Sequence, residues 1–328
     1  MYSVVVSTYN RAATLRGALA SLLALGPESP SHEIVIVDNN STDDTRAVVE
    51  SMAQERGGRL RYVFEPKQGV SHGRNAGAAA ARGAVLAFTD DDVRPAPGWL
   101  AAIARVFADR PDVAYAGGPV RPIWPAEPPA WLTDWFWSPL ALIDYGPDGY
   151  EVQREPFRCF VAANLAVRKA AFDAVGGFDP RYQHAPGAVT ASEDHELQIR
   201  LLDAGYRGWY DPSVEMRAEV QSDRLTLRYH RRWAFDHGRA VVRMTPPGTL
   251  FDGDSGFAPQ PAHARHLLGV PLFLYKRPVE MLKCYARAVA RRKEPDRLWA
   301  EFKMLESLGT IREYVASRGR RAARGIAA

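Results

Sequence analysis

The chain has 328 residues, 46% hydrophobic and 24% charged, which is ordinary for a folded protein with a substantial core and excludes disorder over most of its length. Its two cysteines, Cys159 and Cys284, offer neither a disulfide framework nor a zinc-ligand spacing, so a reducing compartment is expected. The formal net charge of +4 hides an asymmetry: residues 225–328 carry 20 Lys and Arg against 9 Asp and Glu, while the rest of the chain carries 22 against 29. Such a basic end could meet an anionic membrane surface or a phosphorylated substrate, or could be a solvated helix surface. Residues 1–6 lack the basic region of a signal peptide. No apolar run approaches the roughly 20 residues that span a bilayer. The expected location is cytoplasmic, or peripheral on the inner face of the cell membrane.

In chain order, residues 3–7 read as a strand, 11–25 as a helix, and 33–37 as the unbroken apolar run of a buried parallel strand. Ser41-Thr42-Asp43-Asp44 offers a cap for a helix reaching Gln54. Residues 60–64 predict a third strand, 69–81 an Ala-rich helix entered through glycine, and 85–89 a fourth strand ending on Asp90-Asp91-Asp92. This alternation implies an α/β protein with a mostly parallel sheet covered by helices. Ligands of such sheets bind at the carboxyl ends of the strands, so Asp38 and Asp90 are expected to point into one crevice.

Residues 121–150 are rich in Pro and Trp (Trp124, Trp131, Trp135, Trp137) and read as a long loop with short helices over that crevice. Residues 160–167 predict a strand, 169–175 a short helix ended by Gly176-Gly177, and 193–204 a helix stopping at Gly205. From residue 225 the pattern is mainly helical, interrupted by the Pro/Gly-rich stretch 245–261, a candidate linker or mobile loop.

The acidic run carries the first chemical signal. Three adjacent carboxylates repel, and a hard divalent cation such as Mg²⁺ or Mn²⁺ would compensate them through oxygen ligands. Such an ion bridges phosphates and neutralises a departing diphosphate. Strand alternation would let Asp90 and Asp92 face the same side. A solvated acidic turn is the plain alternative.

The run does not stand alone. Ser7-Thr8-Tyr9-Asn10-Arg11 ends the first strand, and Val37-Asp38-Asn39-Asn40-Ser41-Thr42-Asp43-Asp44 the second. Gly69, Arg74-Asn75-Ala76-Gly77, Ala81-Arg82-Gly83 and Phe88-Thr89-Asp90-Asp91-Asp92 follow. Later come Gly176-Gly177-Phe178-Asp179 and Ser192-Glu193-Asp194-His195-Glu196-Leu197. In this order and spacing, over roughly residues 1–240, the chain resembles the family-2 glycosyltransferases of GT-A fold.

The resemblance implies an inverting transfer of one sugar from a nucleotide-sugar, by default a UDP-sugar, to an acceptor hydroxyl in glycan or glycolipid assembly such as polysaccharide biosynthesis. It implies that Asp38 contacts the base and that Thr8 and Tyr9 shape the nucleoside pocket, with Arg11 beside them. Arg74 and Asp91 would lie near the nucleotide and diphosphate. Asp90 and Asp92 would form the DxD pair, with Asp92 the direct ligand of Mn²⁺ or Mg²⁺, and Asp194 would be the general base. The expected layout is a GT-A catalytic domain over 1–224, its nucleotide-sugar half at 1–120 and its acceptor half at 121–224, followed by a helical basic region at 225–328.

The chemistry of the residue types agrees with these roles. A pyrimidine N–H needs a buried acceptor such as Asp38, although a helix-capping aspartate would look the same. Arg74 can fork onto phosphate oxygens or be a surface helix arginine. A base at a helix N-terminus has its pKa depressed there, so burial or Glu193 must oppose that shift. Trp131, Trp135 or Trp137, with Asn164 and Glu193, could line an acceptor site; a hydrophobic cap is the alternative for the tryptophans.

One departure stands out. Many relatives carry a histidine where this chain reads Glu215-Met216-Arg217-Ala218-Glu219, so Arg217 or His237 would have to serve instead. Tyr229-His230-Arg231-Arg232-Trp233 only partly matches the signature of processive synthases, which favours single-sugar transfer. A sugar nucleotidyltransferase and a non-catalytic nucleotide-sugar-binding module are the rival readings. The expected partners are the donor and a glycan or lipid-linked glycan acceptor, with no nucleic acid. A homo-oligomer and peripheral membrane contact through the apolar stretch 267–275 and its basic helices remain open.

Overall fold

In the computed structural model the described residues are 1–56, 58–154, 156–183, 188–244, 249–251, 257–259, 265–268 and 270–323. The apolar runs of the first half become β1 (Tyr2–Thr8), β2 (His32–Asp38), β3 (Leu60–Phe64) and β4 (Val85–Asp90). Helices α1 (Ala12–Leu23), α2 (Thr45–Arg56) and α3 (Val70–Ala80) connect them. The chain continues through β5 (Val93–Pro95), α4 (Trp99–Asp109), β6 (Val113–Gly117), β7 (Val120–Ile123), β8 (Tyr150–Glu151), β9 (Leu165–Arg168) and α5 (Lys169–Ala174). Then come α6 (Glu193–Asp203), β10 (Arg207–Tyr210) and β11 (Met216–Glu219).

An eight-stranded sheet forms in the order β3-β2-β1-β4-β9-β6-β10-β8, with β3, β2, β1 and β4 mutually parallel. Strand β9 runs antiparallel between β4 and β6, so the sheet is mostly parallel with an antiparallel insertion. A smaller sheet, β5-β11-β7, follows the acidic run. Strand order reverses beside β1, the place where α/β sheets open a crevice at their carboxyl ends. The register puts Thr8 level with Asp38, and Ser7 level with Asp90. Val4–Val6 and residues 34–37 are fully buried, which explains the unbroken apolar runs.

The expected strand at 160–167 is only half a strand. Residues Ala162–Asn164 form a 3₁₀ turn, and β9 begins after it. The Gln198 side chain on α6 bonds both the N–H and the carbonyl of Phe160, replacing a strand neighbour.

The chain divides into two compact units. The first comprises Met1–Ala126, Leu140–Gln183 and Glu193–Val220, and holds both sheets just described. The second comprises Glu127–Pro139, His184–Ser192 and Gln221–Ala328. Its helices are α7 (Leu227–Met244), α8 (Lys276–Ala290) and α9 (Glu294–Ala323). Between α7 and α8 lie two short antiparallel pairs, β12 (Thr249–Phe251) with β13 (Phe257–Pro259), and β14 (His266–Leu267) with β15 (Val270–Pro271). The remainder of the stretch 245–261 lies outside the described residues.

In the second unit α7 and α9 touch backbone to backbone. A Cβ on Gly238 would overlap the Glu306 carbonyl oxygen, and one on Gly309 would overlap that of Phe235. Trp131 meets His230 edge-on at 4.9 Å, and Phe302 meets Phe136 at 5.5 Å. Among the described residues no helix is long and apolar enough to cross a membrane.

Candidate active site at the strand ends

The loops leaving β1, β2 and β4 carry the candidate residues, and short polar side chains hold these loops together. Asn10 and Asn40 adopt the left-handed conformation that asparagine tolerates best among residues with a Cβ. The Asn10 side-chain oxygen Oδ1 accepts from the Thr42 N–H at 2.7 Å. Asp43, expected as part of a cap for α2, also accepts from the Ala12 N–H at the start of α1. Asn39, only 3% exposed, accepts from the Gly69 N–H and donates to the Lys67 carbonyl, joining the β2 loop to the entrance of α3. Sequence reasoning missed Asn10 and Asn39 as organisers; an asparagine just after a strand was their only local sign.

Asp38 is buried at the end of β2. One carboxylate oxygen accepts from the Ser41 N–H at 2.8 Å and the other from the Tyr62 hydroxyl at 2.7 Å. Burial, reinforced by that bond to Asp38, pushes the Tyr62 hydroxyl up to about 12. Each Asp38 oxygen keeps a second lone pair for a further donor. Thr8 is buried and donates to Asp91 at 2.6 Å, whereas Tyr9 is exposed.

The three aspartates have different surroundings. Asp91 is buried and binds Thr8 and Arg11; burial pushes its carboxyl up to about 6, against the pull of the Arg11 guanidinium. It therefore ties β1 to the turn after β4. Asp90 and Asp92 are the more accessible pair. One Arg11 nitrogen bridges Asp91 and Asp92, at 2.9 Å to each. Asp90 accepts from Arg74 at 2.8 Å through one carboxylate oxygen.

Arg74 is the hub. It projects from α3, where Gly73 and Gly77 let the helix lie directly on Ser7, Val5 and Val37. Its side chain is 5% exposed and pairs with both Asp90 and Glu193, the latter at 2.6 Å. The buried Arg74 Nε and one Glu193 carboxylate oxygen have no hydrogen-bond partner among the described residues. Two carboxylates around one buried guanidinium are far costlier to break than to keep, because removing one member strands a desolvated charge.

Asp194 follows Glu193 at the start of α6. It accepts from the Ala162 N–H at 3.1 Å and from the His195 N–H at 2.8 Å, which fixes the carboxylate plane. Burial raises its pKa, and Arg74 and these N–H donors oppose the rise. Burial raises Glu193 too, with the neighbouring Asp194 charge adding to it. The depression expected at a helix N-terminus is thus outweighed by desolvation. Asn75, beside Arg74, clamps Phe178 through both backbone groups, at 2.7 and 2.9 Å, and so anchors the Gly176-Gly177-Phe178 turn to α3.

The remaining candidates have other partners. Asn164 is buried and fully used, accepting from the Trp99 indole and donating to the Pro119 and Val214 carbonyls. Trp131, Trp135 and Trp137 belong to the second unit, where Trp131 packs on His230 and Trp135 is 69% exposed. Arg217 sits on β11 paired with Glu215, and His237 stacks on Trp233 within α7. Among the described residues no three His, Cys, Asp or Glu side chains converge as a metal cage. The donors at the strand ends are carboxylates alone. That set fits a hard cation that takes one or two protein carboxylates and completes its shell with phosphate oxygens and water.

Known proteins resemble this chain in sequence and in fold. The profile described as Glycosyl transferase family 2 matches residues 3–176. The chain is 28% identical over 221 residues to a glucosyl-dolichyl phosphate glucuronosyltransferase of Haloferax volcanii, covering 66% of this chain and 69% of that protein. It is 30% identical over 223 residues to a validoxylamine A glucosyltransferase of Streptomyces hygroscopicus, covering 61% of this chain and spanning only 51% of that protein. With the succinoglycan biosynthesis protein ExoM of Rhizobium meliloti it shares 32% identity over 241 residues, 73% of each chain. A mannosyltransferase from Pyrobaculum calidifontis, solved with GDP-Man and Mn²⁺, superposes with a TM-score of 0.56 at 19% identity, covering 98% of this chain and 75% of that one. TarS 1-349 of S. aureus, solved with UDP, gives 0.52 at 18%, covering 97% and 91%. At these identities the two structures establish the GT-A fold.

Proposed function

The chain belongs to glycosyltransferase family 2, and from that premise we propose that it moves one sugar, with inversion, from a UDP-sugar to a hydroxyl of a glycan or lipid-linked glycan. The observation that carries this reading is the Asp90–Arg74–Glu193 bridge, which joins the acidic strand end to the residue preceding Asp194. Donor-side and base-side carboxylates are thereby held in one polar cluster.

In this reading Asp38 accepts from the base, and Thr8 and Arg11 hold the turn on which Asp92 stands. Asp90 and Asp92 would hold Mn²⁺ or Mg²⁺, which supplies charge neutralisation to the departing diphosphate. Arg74 acts through the carboxylates: occupied on both sides, it sets the orientation of Asp90 and Glu193 rather than forking onto phosphate. Asp194 takes the proton of the acceptor hydroxyl, whose oxygen bonds to the anomeric carbon as the nucleoside diphosphate leaves with the bonding electron pair. Burial raises its pKa, which makes Asp194 a stronger base than a solvated aspartate.

Replacing Asp194 by Asn keeps the shape and removes the base. Transfer should fall by about 10²–10⁴-fold with UDP-sugar affinity retained. Wild-type rates in Asp194→Asn would overturn the assignment. Because the base must be ionised and its pKa is raised, the acid limb of kcat should lie above the ordinary aspartate range, with activity lost as pH falls through it. A thermal-shift screen of nucleotide sugars with and without Mn²⁺ tests donor and metal together; stabilisation indifferent to metal would overturn the roles of Asp90 and Asp92.

A further inference from the structure

The second unit exposes an unusual concentration of apolar side chains. Leu267 and Leu268 are 52% and 66% exposed, and Leu272 and Phe273 in the following turn are 41% and 36% exposed. Val279, Leu282 and Val289 are each about half exposed, and with Ala286 they recur at helical spacing as one outward stripe along α8. Elsewhere in the chain, large exposed apolar residues are mostly scattered singly, as is normal.

This surface is also strongly cationic. Residues 265–299 contain nine Lys and Arg against three Asp and Glu. Lys276, Lys283 and Arg287 form a second stripe on α8 beside the apolar one, continued by Arg291 just past its end, and all four are exposed. Arg287 and Arg291 make no ion pair among the described residues. They border a cleft of about 680 Å³ walled by the indoles of Trp135 and Trp299. Only Ala288 turns α8 inward as a fully buried residue.

We infer that α8 and the turn before it form a peripheral docking surface for an anionic lipid bilayer. The apolar stripe would enter the boundary between headgroups and acyl chains, as amphipathic interfacial helices do. Lys276, Lys283, Arg287 and Arg291 would sit at the phosphate level, and Trp135 and Trp299 have the amphipathic rings that prefer this depth. Charge selects this occupant over a second copy of the chain, because two copies joined through the face would bring their basic stripes together. The inference stands apart from the sugar-transfer reading, since it uses none of the strand-end residues.

The test is co-sedimentation of the whole protein with vesicles of phosphatidylcholine alone and of equimolar phosphatidylcholine and phosphatidylglycerol. Binding is expected to the anionic vesicles only, and to weaken with added salt. Arg287→Gln with Arg291→Gln should lower partitioning about 30-fold, two contacts at about 1 kcal/mol each. Val279→Glu with Leu282→Glu should abolish it. Both pairs alter exposed positions, so unchanged thermal melting shows that the fold survives. Equal partitioning to both vesicle types, no binding to either, or binding unchanged in the Glu variant would overturn the proposal. So would a dimer in sedimentation velocity that the Glu variant dissolves, because the face would then belong to a second copy.

Discussion

Arginine–carboxylate clusters occur in both units, and they are built differently. At the strand ends, Arg74 joins Asp90 to Glu193, with Asp194 adjacent, and leaves a buried Nε and a buried carboxylate oxygen without a hydrogen-bond partner among the described residues. Between α7 and α9, Arg239 joins Asp236 at 3.2 Å to Glu313 at 3.3 Å, on helices already pressed together at Gly238 and Gly309. The first cluster crowds three carboxylates around one guanidinium, in a place where burial raises the pKa of two of them. The second fastens two helices that backbone contact, aromatic packing and the Arg231–Glu301 ion pair also join. Incomplete satisfaction and like-charge crowding support the role in chemistry proposed for the first cluster, since packing alone would favour closing them.

The comparison breaks or sharpens under substitution. The largest effect is expected at Arg74. Arg74→Met would leave the buried Glu193 without its counter-charge and Asp90 unpaired from it, lowering stability by about 3–5 kcal/mol in urea unfolding. Adding Glu193→Gln should restore much of that stability but no activity. A neutral Arg74→Met would mean that the site cluster is no more demanding than a surface pair.

Gly238→Ala should cost about 3 kcal/mol, because the methyl meets the α9 backbone and the helices must part. Helix propensity alone would favour alanine there by about 1 kcal/mol, so the sign of the change separates packing from propensity.

The smallest effect depends on pH. His230 is fully buried between Trp131 and Phe302, and burial pushes its pKa down to about 4. The folded state resists protonation more than the unfolded state does. Its contribution is therefore complete above the unfolded value of about 6.5 and is lost as pH falls from there toward the folded value. His230→Phe should match wild type near neutrality and be about 2 kcal/mol more stable at pH 5, read by urea unfolding at the two pH values. Parallel pH profiles for the two proteins would show that this ring never carries a depressed pKa.

Legibility followed the range of the interactions. Strands β1 to β4 and the helices between them were readable, because burial on both faces demands unbroken apolar runs such as Ile34-Val35-Ile36-Val37. The carboxylates at their ends were readable because they directly follow those runs. Helix α4, strand β6 and the small β5-β11-β7 sheet were not foreseen. The short strands of that sheet pair residues far apart in the chain, Arg94 with Arg217 for example, and no local pattern announces such a partner. Residues 162–164 read as strand because they sit within the mainly apolar run 160–167, yet Gln198 and the carbonyls that hold Asn164 decide their turn.

By itself, then, the sequence determined an α/β chain with carboxylates at its strand ends, because periodicity and adjacency along the chain are local properties, and its motifs carried the resemblance to the glycosyltransferases. Only the tertiary structure decided how those carboxylates differ. Asp91 is buried as a strut, Asp90 shares Arg74 with Glu193 over a long loop, and Asp194 is raised by desolvation against its helix N-terminus. Burial and charge pairing are set by residues distant in sequence, and they alone give three similar side chains three different chemistries.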